Sequence, residues 1–252
     1  MPNNVLITGA GRRIGRAIAS AFADKGWGIA LHYHQSSTEA ETLKDELSTS
    51  NVNITLIKAD LADAADVAKI IPEATGILGP LTCLVNNAAV FEKDEITDVT
   101  AESFHKHLDT NLLAPMLLTQ EFARQCPKGV QGNIINIADQ RVFNLRPEFM
   151  SYTLSKAGLW TLTQTTAMAL APHIRVNAIG PGPTLANTRQ TAAQFKQQQK
   201  SVPLGYGPTP EEIALAVQFI LAAKSMTGEF VSLDGGQHLP IYQSEAKEGA
   251  HE

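Results

Sequence analysis

Short runs rich in β-branched residues alternate with longer helix-like segments along this chain, and that alternation narrows its possible folds more than any other feature. The runs are Val5–Thr8, Gly28–Tyr33, Ile54–Lys58, Cys83–Asn86, Asn133–Ile137, Ile174–Ala178 and Glu229–Leu233. Helix patterns lie between them near 13–25, 38–49, 63–77, 101–126, 150–171 and 210–223, with Asp63, Thr100 and Thr209 at N-cap positions. Such alternation builds a parallel sheet whose two faces are both covered by helices. The expected fold class is therefore α/β, a doubly wound parallel sheet of about seven strands.

Ligands of such sheets bind beyond the carboxyl ends of the strands. The expected strand ends carry TGAGRRIG, HYHQSS, ADL, NNAAVF, ADQR and GPGPT, so the polar and glycine-rich residues gather where that rule places a site. The segment from Pro181 to Gly207 lacks clear periodicity and reads as a lid over a substrate.

A chain of 252 residues with 44% hydrophobic content can bury one large core. Residues 1–240 read as a single domain and 241–252 as a flexible tail. A net charge of −5 gives no reason to expect a nucleic acid or an anionic membrane as partner. Neither cysteine, Cys83 or Cys126, has the spacing of a metal or redox pair. No apolar stretch reaches the ~20 residues of a membrane span, and the expected location is cytoplasmic.

The first strand leads into Gly9, Gly11 and Gly15, with Arg12, Arg13 and Ile14 opening the next helix. Glycines at such a turn let backbone N–H groups approach a pyrophosphate, so a dinucleotide is expected there. An acid at the end of the second strand would hold the ribose of NAD, and none is present. His34, Ser36 and Ser37 stand there instead, facing Arg12 and Arg13, which favours NADP(H) over NAD(H). The bland alternative is that the two serines only cap the following helix. Asp60 and Leu61 follow the third strand, where an adenine ring would be received, although an Asp there also suits a helix cap.

Tyr152 and Lys156 are four residues apart and share one face of a helix, and Asp139 precedes the tyrosine by 13 residues (152 − 139). An ammonium beside a phenol is expected to lower the phenol's pKa toward the working range and make it a proton donor. The alternatives are a surface lysine beside a half-buried tyrosine, and a structural Asp139 paired with Arg141 or Arg146.

In the order Thr8–Gly15, Asp60, Asn86–Ala88, Asn111, Tyr152–Lys156, Arg175–Gly182 and Asp234–Gly236, these residues resemble the short-chain dehydrogenase/reductase superfamily over nearly the whole chain. The resemblance implies a Rossmann-type fold, Tyr152 as proton donor, Lys156 on the nicotinamide ribose, and Asn111 holding a water in a proton relay. It also implies Asn87 and Ala88 lining the cofactor, Pro181 and Gly182 flanking the nicotinamide, and a homotetramer packed through helices 101–126 and 150–171.

Two departures single out a branch. Arg13 stands where the superfamily usually has Gly, and Asp139 where it usually has Ser. Both changes, with His32-Tyr33-His34, Ser36 and Phe91, resemble the pteridine reductases, in which Phe91 would stack on the pterin. The Gly235–Leu239 ending is similar to that of bacterial dihydromonapterin reductases. Ala89 and Gln35 differ from the Ser and Arg expected in that branch. Arg13 is then expected to meet the pterin oxygen or the cofactor phosphates, and Asp139 to relay a proton through Tyr152. The competing expectations are a carbonyl reductase and a non-catalytic dinucleotide sensor.

Overall fold

The computed structural model describes residues 3–48, 52–187 and 189–239; the expected tail at 241–252 lies outside them. Seven parallel strands form one sheet: β1 (Asn4–Ile7), β2 (Gly28–Tyr33), β3 (Ile54–Lys58), β4 (Cys83–Asn86), β5 (Gly132–Ile137), β6 (Ile174–Pro181) and β7 (Phe230–Leu233). The order β3-β2-β1-β4-β5-β6-β7 reverses direction between β1 and β4, where open α/β sheets form their ligand crevice.

Side chains alternate across the sheet with period two. Val5, Ile7, Ile29, Leu31 and Val85 pack on one face against Ile18 and Phe22 of α1 (Arg13–Ala23), Leu43 of α2 (Ser37–Leu47) and Val217 of α8 (Pro210–Ala222). Leu6, Ala30, Leu84, Ile134 and Val176 pack on the other against Ile70 of α3 (Ala64–Leu78), Phe122 of α5 (Ala114–Gln125) and Ala167 of α6 (Met150–Leu170). The central strands thus read as largely apolar runs because both of their faces are covered.

The expected N-caps all make side-chain caps: Asp63 to Ala65 N, Thr100 to Ser103 N and Thr209 to Glu212 N. Most expected boundaries shift by a few residues, and three differences have a visible cause. β1 ends at Ile7, because the Thr8 hydroxyl accepts the N–H groups of Asn87 and Ala88. The single helix expected at 101–126 is broken into α4 (Ala101–Leu108), a π-helical turn (Asp109–Leu113) and α5. Within that turn the Asn111 carboxamide pairs with the Val90 backbone, accepting its N–H (2.8 Å) and donating to its carbonyl (2.9 Å). The aperiodic 181–207 segment contains α7 (Ala192–Lys200), started by a capping box between Thr191 and Gln194 and burying none of its residues. A helix that hides no apolar face leaves no periodic signal.

The Arg-Val-Asn run serves the fold. Arg175 is 5% exposed, and its guanidinium donates to the carbonyls of Ile220, Leu221, Ala223 and Met226 at 2.8–3.2 Å, closing the C-terminus of α8. Asn177 ties the same turn to β6 through Met226 O and Glu229 N. Removing the guanidinium strands several carbonyls, so Arg175→Met is expected to lose about 3 kcal/mol in urea unfolding. A loss below about 0.5 kcal/mol would mean that the carbonyls find other partners.

Candidate active site

The cofactor end is built by backbone geometry. Gly9 adopts φ +62°, and a Cβ at Gly15 would stand 2.3 Å from Gly9 O and 2.7 Å from Asn87 Nδ2, so the turn closes only around glycine. Asn87 completes it by donating from Nδ2 to Thr8 O (2.8 Å) and Gly9 O (3.2 Å), and Ala88 packs against Gly9. Arg12, the N-cap of α1, makes no side-chain cap, which leaves first-turn N–H groups facing outward. This donor set fits a dinucleotide pyrophosphate.

His32, 2% exposed, was not among the expected contacts, yet it organises the turn. Its Nδ1 accepts the Gly9 N–H (3.2 Å) and its Nε2 donates to Ala59 O (3.2 Å), joining the ends of β1, β2 and β3. Burial pulls its pKa down to about 4, which keeps Nδ1 free to accept.

At the end of β2, Ser36 occupies the N-cap position of α2 without a side-chain cap, and its Oγ lies 3.4 Å from where a Gly11 Cβ would stand. The hydroxyl thus faces the glycine turn instead of closing its own helix. His34 Nε2 lies 3.8 Å from an Asp60 oxygen, and Ser37 begins α2. The Arg12 guanidinium lies 3.8 Å from Glu39, both side chains well exposed. Asp60 accepts the Ala62 N–H in a tight turn and Leu61 is buried in the core, while the cap of α3 is Asp63 and not Asp60. Ile14 packs on the core beside α1. Pro181 ends β6, and Gly182 donates its N–H to Leu233 O (2.8 Å) where a Cβ would stand 2.6 Å from Asp234 Cα. Asp234 itself accepts from Gly236 N, His238 N and His238 Nδ1, so the Gly-Gly-x-His-Leu ending folds around it.

Asp139, just beyond β5, and Tyr152, in the first turn of α6, meet directly. The Tyr152 hydroxyl donates to Asp139 Oδ2 at 2.7 Å, and Asp139 Oδ1 accepts the Arg141 N–H at 2.8 Å. The carboxyl group therefore faces the phenol, while the Arg141 guanidinium lies 5.0 Å from the Phe149 ring centre. Lys156 Nζ donates to Ile137 O (2.7 Å) and lies 5.8 Å from the Tyr152 ring centre. Asn111 donates both carboxamide hydrogens within the protein, to Val90 O and Ser155 Oγ, and Ser155 in turn donates to Tyr152 O. Its side chain is a brace between the Asn-Asn-Ala strand end and α6.

One electrostatic expectation is reversed. Desolvation and the facing Asp139 carboxylate push the Tyr152 phenol well above its ordinary range, where Lys156 was expected to bring it down. The same desolvation raises the Asp139 carboxyl, against the hydrogen bonds from Arg141 and Tyr152. Burial lowers Lys156 to about 8 despite the pull of Asp139. The ammonium reaches a carbonyl, so the strongest partner of the phenol is the acid.

Phe91 lies between Tyr152, edge-on at 4.6 Å, and Phe149, stacked at 4.4 Å and 6°. One face of Phe91 is thus given to Phe149, which narrows the stacking surface expected of it. Arg189 donates to Phe91 O (2.7 Å) and lies 5.6–5.8 Å from both ring centres. Arg13 donates to Ala186 O (2.8 Å) and Leu185 O (3.1 Å), so two arginines pin the segment after β6 across the crevice. Arg13 has φ +55° and Phe149 φ +61°, left-handed conformations for non-glycine residues on either side of the crevice. Sequence reading missed Phe149 and Arg189; an arginine in an aperiodic loop and an aromatic before a helix carry no local pattern. Among the described residues no group of three or more His, Cys, Asp or Glu is placed to hold a metal ion, and no helix is long and apolar enough to cross a membrane.

The chain as a whole is similar to known proteins. A family model described as enoyl-(acyl carrier protein) reductase matches residues 9–238. The 3-oxoacyl-[acyl-carrier-protein] reductase FabG of Staphylococcus aureus is 31% identical over 244 residues, covering 95% of this chain and 99% of the relative. The crystal structure of FolM alternative dihydrofolate reductase 1 from Brucella canis, complexed with NADP, superposes with a TM-score of 0.93 at 38% identity and covers 97% of each chain. The Brucella suis FolM structure, also with NADP, gives 0.91 at 39% identity, covering 94% of this chain and 96% of that one. The chain belongs to the short-chain dehydrogenase/reductase family and is an oxidoreductase.

The Lys156 shift has a stability consequence. A lysine whose pKa falls from 10.5 to about 8 on folding costs stability while the unfolded chain binds the proton more tightly. Relative to Lys156→Met, the wild type is expected to gain up to about 3 kcal/mol as pH rises from about 8 to 10.5, and to lose it over the same window as pH falls, with little further change below about 8. Urea midpoints of both proteins across that range check this; a pH-independent difference would show that the ammonium is not desolvated.

Proposed function

We propose that this protein is an NADPH-dependent reductase of a pterin-like ring of the dihydropteridine, dihydrofolate or dihydromonapterin type. The observation that carries the reading is the 2.7 Å hydrogen bond from the Tyr152 hydroxyl to Asp139, at the position where the superfamily usually has a serine. Arg13 in the glycine turn and the FolM neighbours support the same branch.

Bound NADPH would supply the hydride, held by the Gly9 turn with Arg12, Arg13, Ile14, Asn87 and Ala88, and on the nicotinamide side by Lys156, Pro181 and Gly182. His34, Ser36 and Ser37 would meet the 2′-phosphate, and Asp60 with Leu61 the adenine. The neighbours' bound NADP and the missing acid at the end of β2 support NADP(H) over NAD(H). The ring would lie by Phe91, with Arg13 near its oxygen.

Reducing a ring C=N requires a proton at nitrogen. Tyr152 donates its hydroxyl proton to that nitrogen, and a protonated Asp139 restores it over the same 2.7 Å contact with the hydrogen bond reversed, the carboxyl O–H donating to the phenol oxygen and leaving a carboxylate. The raised pKa of Asp139 favours this, because desolvation lets the carboxyl hold a proton. A ketone oxygen, by contrast, develops negative charge in the transition state, which the Asp139 carboxylate would oppose whenever it is ionised.

The FabG relatives support a second reading, a 3-oxoacyl thioester reductase using the same Tyr152 and Lys156. A non-catalytic sensor is disfavoured because Tyr152, Lys156 and Asn111 are all retained. Cytoplasmic location and a homotetramer complete the proposal. For the latter the support is apolar surface on helices α5 and α6: Met116 is 45% exposed beside a groove of about 360 Å³ lined also by Leu112 and Leu162, and Met168 of α6 is 75% exposed.

NADPH oxidation by the purified protein is expected with dihydrobiopterin or dihydrofolate and not with simple ketones; the opposite preference overturns the pterin reading. Tyr152→Phe should keep NADPH binding while turnover falls ~10²-fold or more. Unchanged turnover would remove Tyr152 from the mechanism. Asp139→Ser should damage pterin reduction more than ketone reduction, and equal losses would leave Asp139 a structural role.

A further inference from the structure

Helix α6 begins without help from its own N-cap. Phe149 occupies that position at φ 61°, ψ 47° and makes no side-chain cap. The first-turn N–H groups still require partners, and a segment more than fifty residues upstream provides them. The carbonyl of Asp94 accepts from Phe149 N (2.8 Å) and Met150 N (3.3 Å), and its carboxylate Oδ1 accepts from Ser151 N (3.1 Å). The next residue is Tyr152.

Asp94 is 4% exposed, in a stretch whose neighbours Glu92, Lys93 and Glu95 are solvated or partly so. Its second oxygen accepts the Ser103 hydroxyl (3.1 Å) from α4. The Ser103 carbonyl accepts from His107 Nδ1 (2.7 Å), and His107 Nε2 accepts the Glu92 N–H (3.1 Å). The carboxylate is therefore fixed from both sides, and burial, which alone would raise its pKa, is outweighed by the hydrogen bonds from Ser151 and Ser103, leaving it below the ordinary range.

Two parts of the site depend on this anchor. One is the start of α6, which carries the Tyr152 hydroxyl to Asp139. The other is the left-handed Phe149 backbone, a conformation that persists only where surrounding contacts over-determine it. Phe149 in turn stacks on Phe91, and Phe91 meets Tyr152 edge-on.

We propose that Asp94 is a positioning residue for catalysis, a cap supplied from outside the helix that sets both the Tyr152 hydroxyl and the Phe149–Phe91 wall. The inference rests on Tyr152 being the proton donor, and it does not depend on which ring or carbonyl is reduced. None of the hydrogen-bond partners of Asp94, namely Phe149, Met150, Ser151 and Ser103, belongs to the glycine turn, so its effect is expected on turnover more than on cofactor affinity.

The test compares Asp94→Ala, Asp94→Asn and Ser103→Ala with the wild type. It measures kcat on whichever substrate the wild type reduces, NADPH affinity by fluorescence, and amide exchange at residues 149–152. Asp94→Ala is expected to lower kcat ~10-fold or more, to keep NADPH affinity within ~2-fold, and to lose exchange protection at Ser151 and Tyr152. Asp94→Asn, whose amide oxygen can still accept the Ser151 N–H, should recover kcat to within ~3-fold. Ser103→Ala should fall between them, and it carries the test should Asp94→Ala not fold. A merely structural carboxylate would lower kcat and NADPH affinity together, or leave Asp94→Asn as impaired as Asp94→Ala; either result overturns the proposal, as does an unchanged kcat in Ser103→Ala. Should the wild type reduce ketones and not pterins, the substrate reading fails, while the same variant ratios on the ketone still decide the role of Asp94.

Discussion

The hydrogen bond between Tyr152 and Asp139 is the interaction on which the chemistry turns, because desolvation acts on both of its partners in the same direction. Each group is made reluctant to ionise, so the pair tends to hold its proton. A phenol alone in that position would be a poor acid, and an acid alone would face the substrate as a charge. Joined at 2.7 Å, they form a short path along which a proton can be given up and replaced.

The fold brings these residues together by a constraint that has nothing to do with chemistry. A parallel sheet buried on both faces disfavours polar side chains along its strands, and those that can face a ligand collect at or near the carboxyl ends. Thr8, His32, Asn87 and Asp139 all stand there, and each spends part of its hydrogen-bonding capacity on neighbouring strand ends or turns. Arg13 and Arg189 then fasten the segment after β6 over the crevice by donating to carbonyls on opposite sides of it. Phe149 and Arg13 hold left-handed backbones there, which places local strain next to the proposed reacting groups.

Much of this was legible in the sequence, for reasons that separate the elements. Strands buried on both faces leave continuous apolar runs, and helix starts leave Asp63, Thr100 and Thr209, so the sheet and most helices could be read directly. The glycine turn and the Tyr152–Lys156 spacing were readable because short-range geometry fixes them. The π-helical turn was not, since Asn111 leaves the regular helix to pair with Val90, a contact invisible to local periodicity. Helix α7 was missed because it buries nothing. The effect of Lys156 on Tyr152 was misjudged because sequence gives the spacing of two side chains but not their partners. Lys156 reaches Ile137 O, and Asp139 takes the phenol. Asp94 was overlooked for the same reason, and so were the partners of His32, since both residues act across the chain through backbone groups.

The account therefore stands on proton delivery by the Asp139–Tyr152 pair, and the pH dependence of kcat/KM for pterin reduction examines it most directly. If Asp139 must carry a proton, activity falls as pH rises through its raised pKa, and that limb disappears in Asp139→Asn while the residual rate becomes flat over the same range. A profile that keeps the same limb in Asp139→Asn would contradict the account, because the titrating acid would then be another group.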